Sequence, residues 1–351
     1  MKITEIDKNF KNKDVLRPGM QLFNVKDEPF RLYGFLEPYR RIPEATAKAM
    51  SNGAYFLHTN TAGGRVRFRT DSDYVVLKSV LPYTCIMPQM TADGSCGFDM
   101  YADGEYCGTF APKITYDTPF LANFSAEGGY EAIIDLKSKK MRDIIINFPL
   151  YNDVSEVYVG IAEGAKLLEG GEYKHKKPIV FYGSSITQGG CASRPGNSYE
   201  SILSRWFDTD FKNLGFSGNA RAEDAIAEYI STLDMSVFVY DYDHNAPTAE
   251  HLLKTHYKMY KTIRDKNPKL PIILASAPVK LNEGWLERFN IIKGTYEKAK
   301  KDGDENIYLV SGQSMIEFLD PEIMTVDGCH PNDFGFFCMA KAFGSVIEKL
   351  L

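Results

Sequence analysis

From about residue 173 onward, strand-length apolar runs alternate with helix-length amphipathic ones, and nothing else restricts the fold of this chain as strongly. Five stretches read as strands: "PIVFYG" (178–183), "FKNLGFSG" (211–218), "SVFVYDY" (236–242), "PIILASAPV" (271–279) and "NIYLVSG" (306–312). Each precedes a helical pattern, at 197–207, 222–231, 248–265, 290–301 and 332–350. Strands separated by helices pair in parallel, so the expected architecture is α/β, a parallel sheet covered on both faces. Asn197 and Glu200 stand where a capping box would open the first of these helices.

The first half has a different pattern. Short alternating or apolar runs at 20–25, 30–35, 65–70, 74–80, 130–136 and 143–148 are separated by Gly- and Asp-rich turn formers. "EATAKAM" (44–50) is the one obvious helical insert. In "GFDMYADGEYCGTF" (97–110), Asp103-Gly104 supplies the positive φ that a tight hairpin needs. Such a series suggests a β-sandwich or jelly roll. A length of 351 residues exceeds the usual single domain, and the polar "GGEYKHKKP" (170–178) reads as a linker. The expected division is a β-sandwich over 1–172 and an α/β domain over 173–351.

Charge and composition exclude several function classes. A net charge of −5 lacks the basic footprint that nucleic-acid phosphates require. No run approaches the roughly 18 apolar residues of a membrane span. The start, "MKITEIDKNFKNKD", has no apolar signal-peptide core, so the expectation is a cytoplasmic protein, the alternative being a secreted one given without its leader. Cys85, Cys96, Cys107, Cys191, Cys329 and Cys338 show neither CxxC pairs nor zinc spacing, and read as thiols rather than a disulfide framework.

Candidate functional residues gather beyond the carboxyl ends of the expected parallel strands, where open α/β sheets bind ligands. "GSSITQGG" (183–190) sets two hydroxyls at one strand end, "GFSGNAR" (215–221) and "DYDHNAP" (241–247) follow two others, and "TVDGCHPND" (325–333) places Asp327 three residues before His330. This is the set a serine hydrolase needs. Ser185 would be the nucleophile, His330 its general base, and Asp327 the group that orients and charge-stabilises the imidazole. The N–H groups of Ser185 and Gly218 and the side-chain amide of Asn245 would form an oxyanion hole. Gly218 suits that task because a residue without Cβ lets backbone approach a substrate closely. Ser184 is expected to be a structural hydrogen-bonder.

These blocks resemble the SGNH (GDSL-like) hydrolase superfamily over roughly residues 176–351. Ser185 in "GSSIT", Gly218 in "GFSGN", Asn245 in "DYDHNAP" and His330 with Asp327 in "DGCHP" occur in that family's order. Gly-Ser-Ser replaces the family's Gly-Asp-Ser, and the Asn block lacks its usual Gly-x-Asn-Asp form. "GFDMY" (97–101) is similar to the Gly-x-Asp-Leu-Tyr element of the β-sandwich that precedes SGNH domains in some bacterial carbohydrate esterases. The resemblance implies a jelly roll followed by a flavodoxin-like three-layer α/β/α domain. It also implies an acyl-enzyme esterase that deacetylates sugars without a metal or other cofactor, with an acetylated oligosaccharide as partner.

The same residues admit other readings. "GSSITQG" lacks the spacing and the Lys-Ser/Thr of a phosphate loop. Asp241, Asp243 and His244 lack a fourth metal ligand. His244 and Trp285, in "LNEGWLERF" (281–289), are candidate substrate contacts. His58, His175, His251 and His256 are expected in surface or helix-face roles, and Cys329 as a small buried filler. The competing functions are a lipid or thioester hydrolase on the same residues and a non-catalytic carbohydrate-binding protein. The sandwich also offers edges for self-association into a homo-oligomer.

Overall fold

The computed structural model describes residues 3–7, 11–36, 39–116, 122–124, 126, 128–278, 283–316 and 320–351. The first half contains α1 (Ile3–Ile6), β1 (Gln21–Asn24), β2 (Arg31–Tyr33), α2 (Glu44–Met50), α3 (Asn52–Leu57), β3 (Arg65–Thr70), β4 (Tyr74–Val80), α4 (Ala92–Cys96), β5 (Phe98–Ala102) and β6 (Glu105–Phe110). It continues with β7 (Ile114–Tyr116), β8 (Ala122–Phe124), β9 (Tyr130–Asp135), β10 (Arg142–Asn147), β11 (Glu156–Ile161) and β12 (Leu167–Glu169). Two antiparallel sheets, β1-β11-β4-β9 and β12-β3-β10-β5-β6 with β2 on β3, form a β-sandwich. Every second residue points inward, as the two-residue period of a strand requires. Val66 and Phe68, Val75 and Leu77, Phe98 and Met100, Ile144 and Ile146, and Val157 and Val159 therefore meet in one core. Asp103 and Gly104, at φ 50° and 84°, turn the β5–β6 hairpin where the sequence places it.

The second half contains β13 (His175–Gly183), α5 (Ser185–Gln188), α6 (Tyr199–Phe207), β14 (Thr209–Gly215), α7 (Asp224–Ser231), β15 (Val237–Asp241) and α8 (Ala249–Lys266). Then follow β16 (Ile272–Ala275), α9 (Glu283–Lys301), β17 (Ile307–Val310), α10 (Gly312–Ile316) and α11 (Asp333–Ile347). The strands are parallel in the order β14-β13-β15-β16-β17, the flavodoxin-like arrangement. Ile179 and Phe181 face α6 and α11, whereas Val180 and Tyr182 face α7, α8 and α9. Among the described residues no helix is long and apolar enough to cross a membrane, and no disulfide joins any cysteine.

Several local expectations change. Besides the helical insert at 44–50, α3 follows at once, with Ser51 capping it by accepting from the Ala54 N–H at 3.0 Å. Ile42, Ala47, Met50, Ala54 and Leu57 then join the core beneath α7 and β13, so this insert of the first half packs into the second. The segment 170–178 is no free linker. Tyr173 is buried, its hydroxyl accepts from Arg65 Nε at 2.9 Å, and β13 already begins at His175. The helix expected from Asn197 is capped instead by Ser198, because Pro195–Asn197 form a 3-10 turn, and Glu200 is buried rather than part of a capping box. Val279 of the expected strand 271–279 and residues 281–282 of the stretch around Trp285 lie outside the described residues.

Two buried arginines join the halves. Arg41 donates to the carbonyls of Gly215, Asn213 (3.4 Å) and Leu57 (2.6 Å), with its guanidinium 4.7 Å from the Phe216 ring centre. Burial lowers its pKa to about 10. Arg65 likewise reaches Asp210 and the Phe211 carbonyl at the start of β14. In "GFDMY", Asp99 is fully buried and pairs with Arg194 at 2.7 Å while accepting from the Gly196 N–H and Asn147 Nδ2. Such a buried ion is tolerable because its lone pairs are satisfied.

Removing Arg41 takes a charged donor from three buried carbonyls, of which Leu57 keeps a bond from the Asn60 N–H, and breaks a tie between the halves. Arg41→Ala should lower the unfolding free energy by about 3 kcal/mol or more. Arg40→Ala removes only a surface pair with Glu44 and should cost about 1 kcal/mol or less. Urea denaturation of both variants checks the contrast, and equal midpoints would deny Arg41 its role.

Candidate active site

The register of three central strands builds the site. Gly183 at the end of β13 lies level with Gly215 of β14 and Asp241 of β15. Strand order reverses here, which opens a crevice at the carboxyl edge. Both glycines are required sterically. A Cβ would lie 2.0 Å from the Asp241 carbonyl oxygen at Gly183 and 2.2 Å from the Gln188 nitrogen at Gly215.

Directly beyond Gly183, Ser184 caps the single turn of α5, its Oγ accepting from the Ile186 N–H at 3.1 Å. Ser184 is thus structural, as its sequence position suggests. Ser185, the next residue, is 8% exposed. Its Oγ lies 2.9 Å from His330 Nε2, and His330 Nδ1 lies 2.7 Å from Asp327 Oδ2. The other oxygen, Asp327 Oδ1, accepts from the N–H groups of Cys329 (2.9 Å) and His330 (2.7 Å). Burial pushes the Asp327 carboxyl up, but donors from His330 and Cys329 outweigh it and hold the group down at about 2. A hydroxyl, an imidazole and an ionised carboxylate in this line can pass a proton from the hydroxyl to Nε2.

The oxyanion candidates sit on the neighbouring strand ends. Gly218 has φ +69°, and a Cβ there would meet nothing within 4 Å. The left-handed backbone here favours glycine, and the space beside its Cα is open. Asn245 ends a 3-10 turn (Asp243–Asn245), and its Oδ1 accepts from the Ala220 N–H at 3.3 Å, which ties the second and third loops together. Among the described residues, neither the N–H of Ser185 nor that of Gly218 nor Asn245 Nδ2 has an intramolecular acceptor.

The remaining candidates have separate environments. Asp243 accepts from the Ala277 N–H at 3.0 Å and pairs with Arg288 at 3.2 Å. Among the described residues no group of three or more His, Cys, Asp or Glu is arranged to hold a metal ion. His244 lies in the Asp243–Asn245 turn, half-buried. Trp285 is half-buried, stacks on Phe289 at 5.0 Å, and donates from its indole N–H to the Ala277 carbonyl beyond the end of β16. His256 is no surface residue. It is buried against Tyr240, bonded to Thr295 Oγ1 at 2.8 Å, and burial lowers its pKa to about 3. His58 is buried as well, and Cys329, expected as a small buried filler beside the site, is half-buried.

Sequence reasoning missed what the sandwich supplies. Gln188 Nε2 donates to Asn60 Oδ1 and to the Leu150 carbonyl, both at 3.1 Å, while Gln188 Oε1 accepts from the Ser217 N–H at 3.0 Å. The Tyr151 hydroxyl donates to the Ser185 carbonyl at 3.1 Å. The nucleophile turn and the Gly218 loop are thus held from the first half. Gln188 inside "GSSITQGG" is the only one of these residues that a motif could have flagged.

Comparison with known proteins follows the same two-part division. Residues 176–348 match the GDSL-like lipase/acylhydrolase family, and residues 20–167 match a family described as the N-terminus of SGNH-hydrolase-type esterases. No curated protein matches. Among solved structures, a candidate GDSL-like lipase from Bacteroides ovatus superposes with TM-score 0.83 at 28% identity, covering 94% of this chain and 98% of its own. A salicylyl-acyltransferase from a tetracycline biosynthetic pathway gives 0.75 at 17% identity, covering 95% and 98%. An acetyl xylan esterase from the rumen bacterium Butyrivibrio proteoclasticus gives 0.56 at 10% identity, covering 94% and 98%. The last two are similar in fold alone.

Asp241 lies under the nucleophile turn, near Thr187 Oγ1 (3.4 Å) and the Tyr199 hydroxyl (3.5 Å). Burial and the neighbouring Asp243 raise its pKa from 3.8 to about 8. The folded protein then keeps a proton that the unfolded chain releases, so stability from this group falls as pH rises from about 4 toward 8. Asp241→Asn should flatten that decline, measured as melting temperature at pH 5 and pH 8. An unchanged slope would assign the decline to other groups.

Proposed function

We propose that this chain, which belongs to the SGNH (GDSL-like) hydrolase superfamily, is a serine esterase that removes acetyl or another short acyl group from a carbohydrate. The observation that carries the reading is the hydrogen-bonded line from Ser185 Oγ through His330 to Asp327. Ser185 attacks the ester carbonyl as His330 Nε2 takes its proton, and Asp327 stabilises the imidazolium. The N–H groups of Ser185 and Gly218 and Asn245 Nδ2 receive the oxyanion. His330 then protonates the departing sugar hydroxyl. In the second half of the cycle His330 activates water, which attacks the acyl-Ser185 ester and releases the acid. No step requires a metal.

The sugar is proposed from the sandwich and from the architecture shared with carbohydrate esterases. An acetylated oligosaccharide is the substrate class, with Trp285 and His244 as its proposed contacts. The Bacteroides ovatus relative, described as a candidate lipase, favours a second reading, hydrolysis of longer acyl or thioester groups by the same residues. The two readings differ in acyl-chain preference.

Ser185→Ala should lower turnover of p-nitrophenyl acetate by about 10⁴-fold or more. Asn245→Ala should lower kcat by about 10²-fold. Wild-type activity should fall from acetate to butyrate to octanoate. A rise along that series would favour the lipid reading, and full activity in Ser185→Ala would end the serine mechanism.

A further inference from the structure

Asp327 Oδ2, the oxygen that holds His330 Nδ1, has a second donor from the sandwich. Gln89 Nε2 lies 3.1 Å from it, across 238 residues of sequence. We propose that Gln89 is a positioning residue of the reaction, its side-chain amide fixing the Asp327 carboxylate so that His330 stays aimed at Ser185. The proposal rests on the esterase reading of Ser185, His330 and Asp327.

Among the described residues, the donors to Asp327 Oδ1 are N–H groups of its own loop, from Cys329 and His330. Those bonds move with the loop and do not tie it to the rest of the site. Gln89 supplies such a tie from outside. The segment that carries it is anchored on both sides. Asn152 bonds the N–H and the carbonyl of Cys85 at 2.8 and 2.7 Å, and the Tyr83 hydroxyl accepts from Asn60 Nδ2 at 3.1 Å. On the far side Met90 is buried in the core with Ile186 and Cys191, and Thr91 Oγ1 donates to the Ser193 carbonyl at 2.6 Å. A neutral amide suits the task. It holds the carboxylate without cancelling the negative charge that the imidazolium needs, as a lysine would.

The test uses the full-length chain with Gln89→Ala and Gln89→Glu, beside wild type and Ser185→Ala, on p-nitrophenyl acetate. Gln89 is solvent-exposed, so melting temperatures should not move. Gln89→Ala should lower kcat about 3- to 10-fold, the rate equivalent of one hydrogen bond, with KM within about twofold because no substrate contact is lost. Gln89→Glu sets a second carboxylate beside Asp327. The negative field on His330 grows, its proton is held more tightly, and the acid limb of kcat/KM moves to higher pH. Gln89→Ala should move that limb the same way by less. Besides His330, the titratable groups beside Asp327 include the thiols of Cys191 and Cys329, which both variants leave in place. Wild-type kcat and an unmoved acid limb in both variants would overturn the proposal. So would a loss of kcat matched by a lower melting temperature with no shift of the limb. Activity retained by Ser185→Ala would overturn the esterase reading itself, a result distinct from silent Gln89 variants.

Discussion

Gly183, Gly215 and Asp241 end three adjacent strands at one level, where a methyl group on Gly183 would strike the Asp241 carbonyl and one on Gly215 the backbone of the α5 turn. The rest of the site depends on this contact. The chains that leave these strand ends diverge as three loops around one crevice, and the α5 turn fits against β14 only because Gly215 has no side chain. Asn213 reinforces the arrangement, donating from Nδ2 to the Thr187 carbonyl at 2.6 Å and accepting the Gly215 N–H at 2.9 Å. Ser185, Gly218 and Asn245 inherit their places from that geometry, and only the His330 loop arrives from a distance.

The crevice is not the work of the α/β domain alone. Buried polar groups pair across the junction between the halves: Arg41 with the end of β14, Asn60 with Gln188, which also holds Ser217, and Asp99 with Arg194. A buried polar group left unpaired costs more than a paired one contributes. These contacts therefore favour one docking of the two halves strongly over any other.

What the sequence made legible follows from the range of the interactions. The strand and helix alternation, the hairpin at Asp103-Gly104 and the structural serine at 184 depend on neighbours a few residues away, and they could be read. Asp327 and His330 are three residues apart, so their pairing was visible too. The capping box failed because Pro195 imposed a 3-10 turn and moved the cap by one residue. Gln89, Asn60, Tyr151 and Arg41 carry no local pattern. Their partners lie across the fold, 128 residues away for Asn60 and Gln188 and 174 for Arg41 and Gly215, and only the docked halves bring them together. His256 belongs with them, since a histidine on an amphipathic helix shows its burial only when the facing strand and helix are known.

The placement of α2 and α3 bears on how such proteins can be recombined. In sequence these helices belong to the leading segment, yet Ala47, Met50, Ala54 and Leu57 complete the hydrophobic layer over β13 and β14. A catalytic half excised at the sequence boundary would expose that layer. A chimera joining the sandwich of one relative to the hydrolase of another would have to exchange residues 41–57 with the hydrolase. The heritable unit of this architecture is therefore discontinuous, one structural module written in two separated stretches of chain.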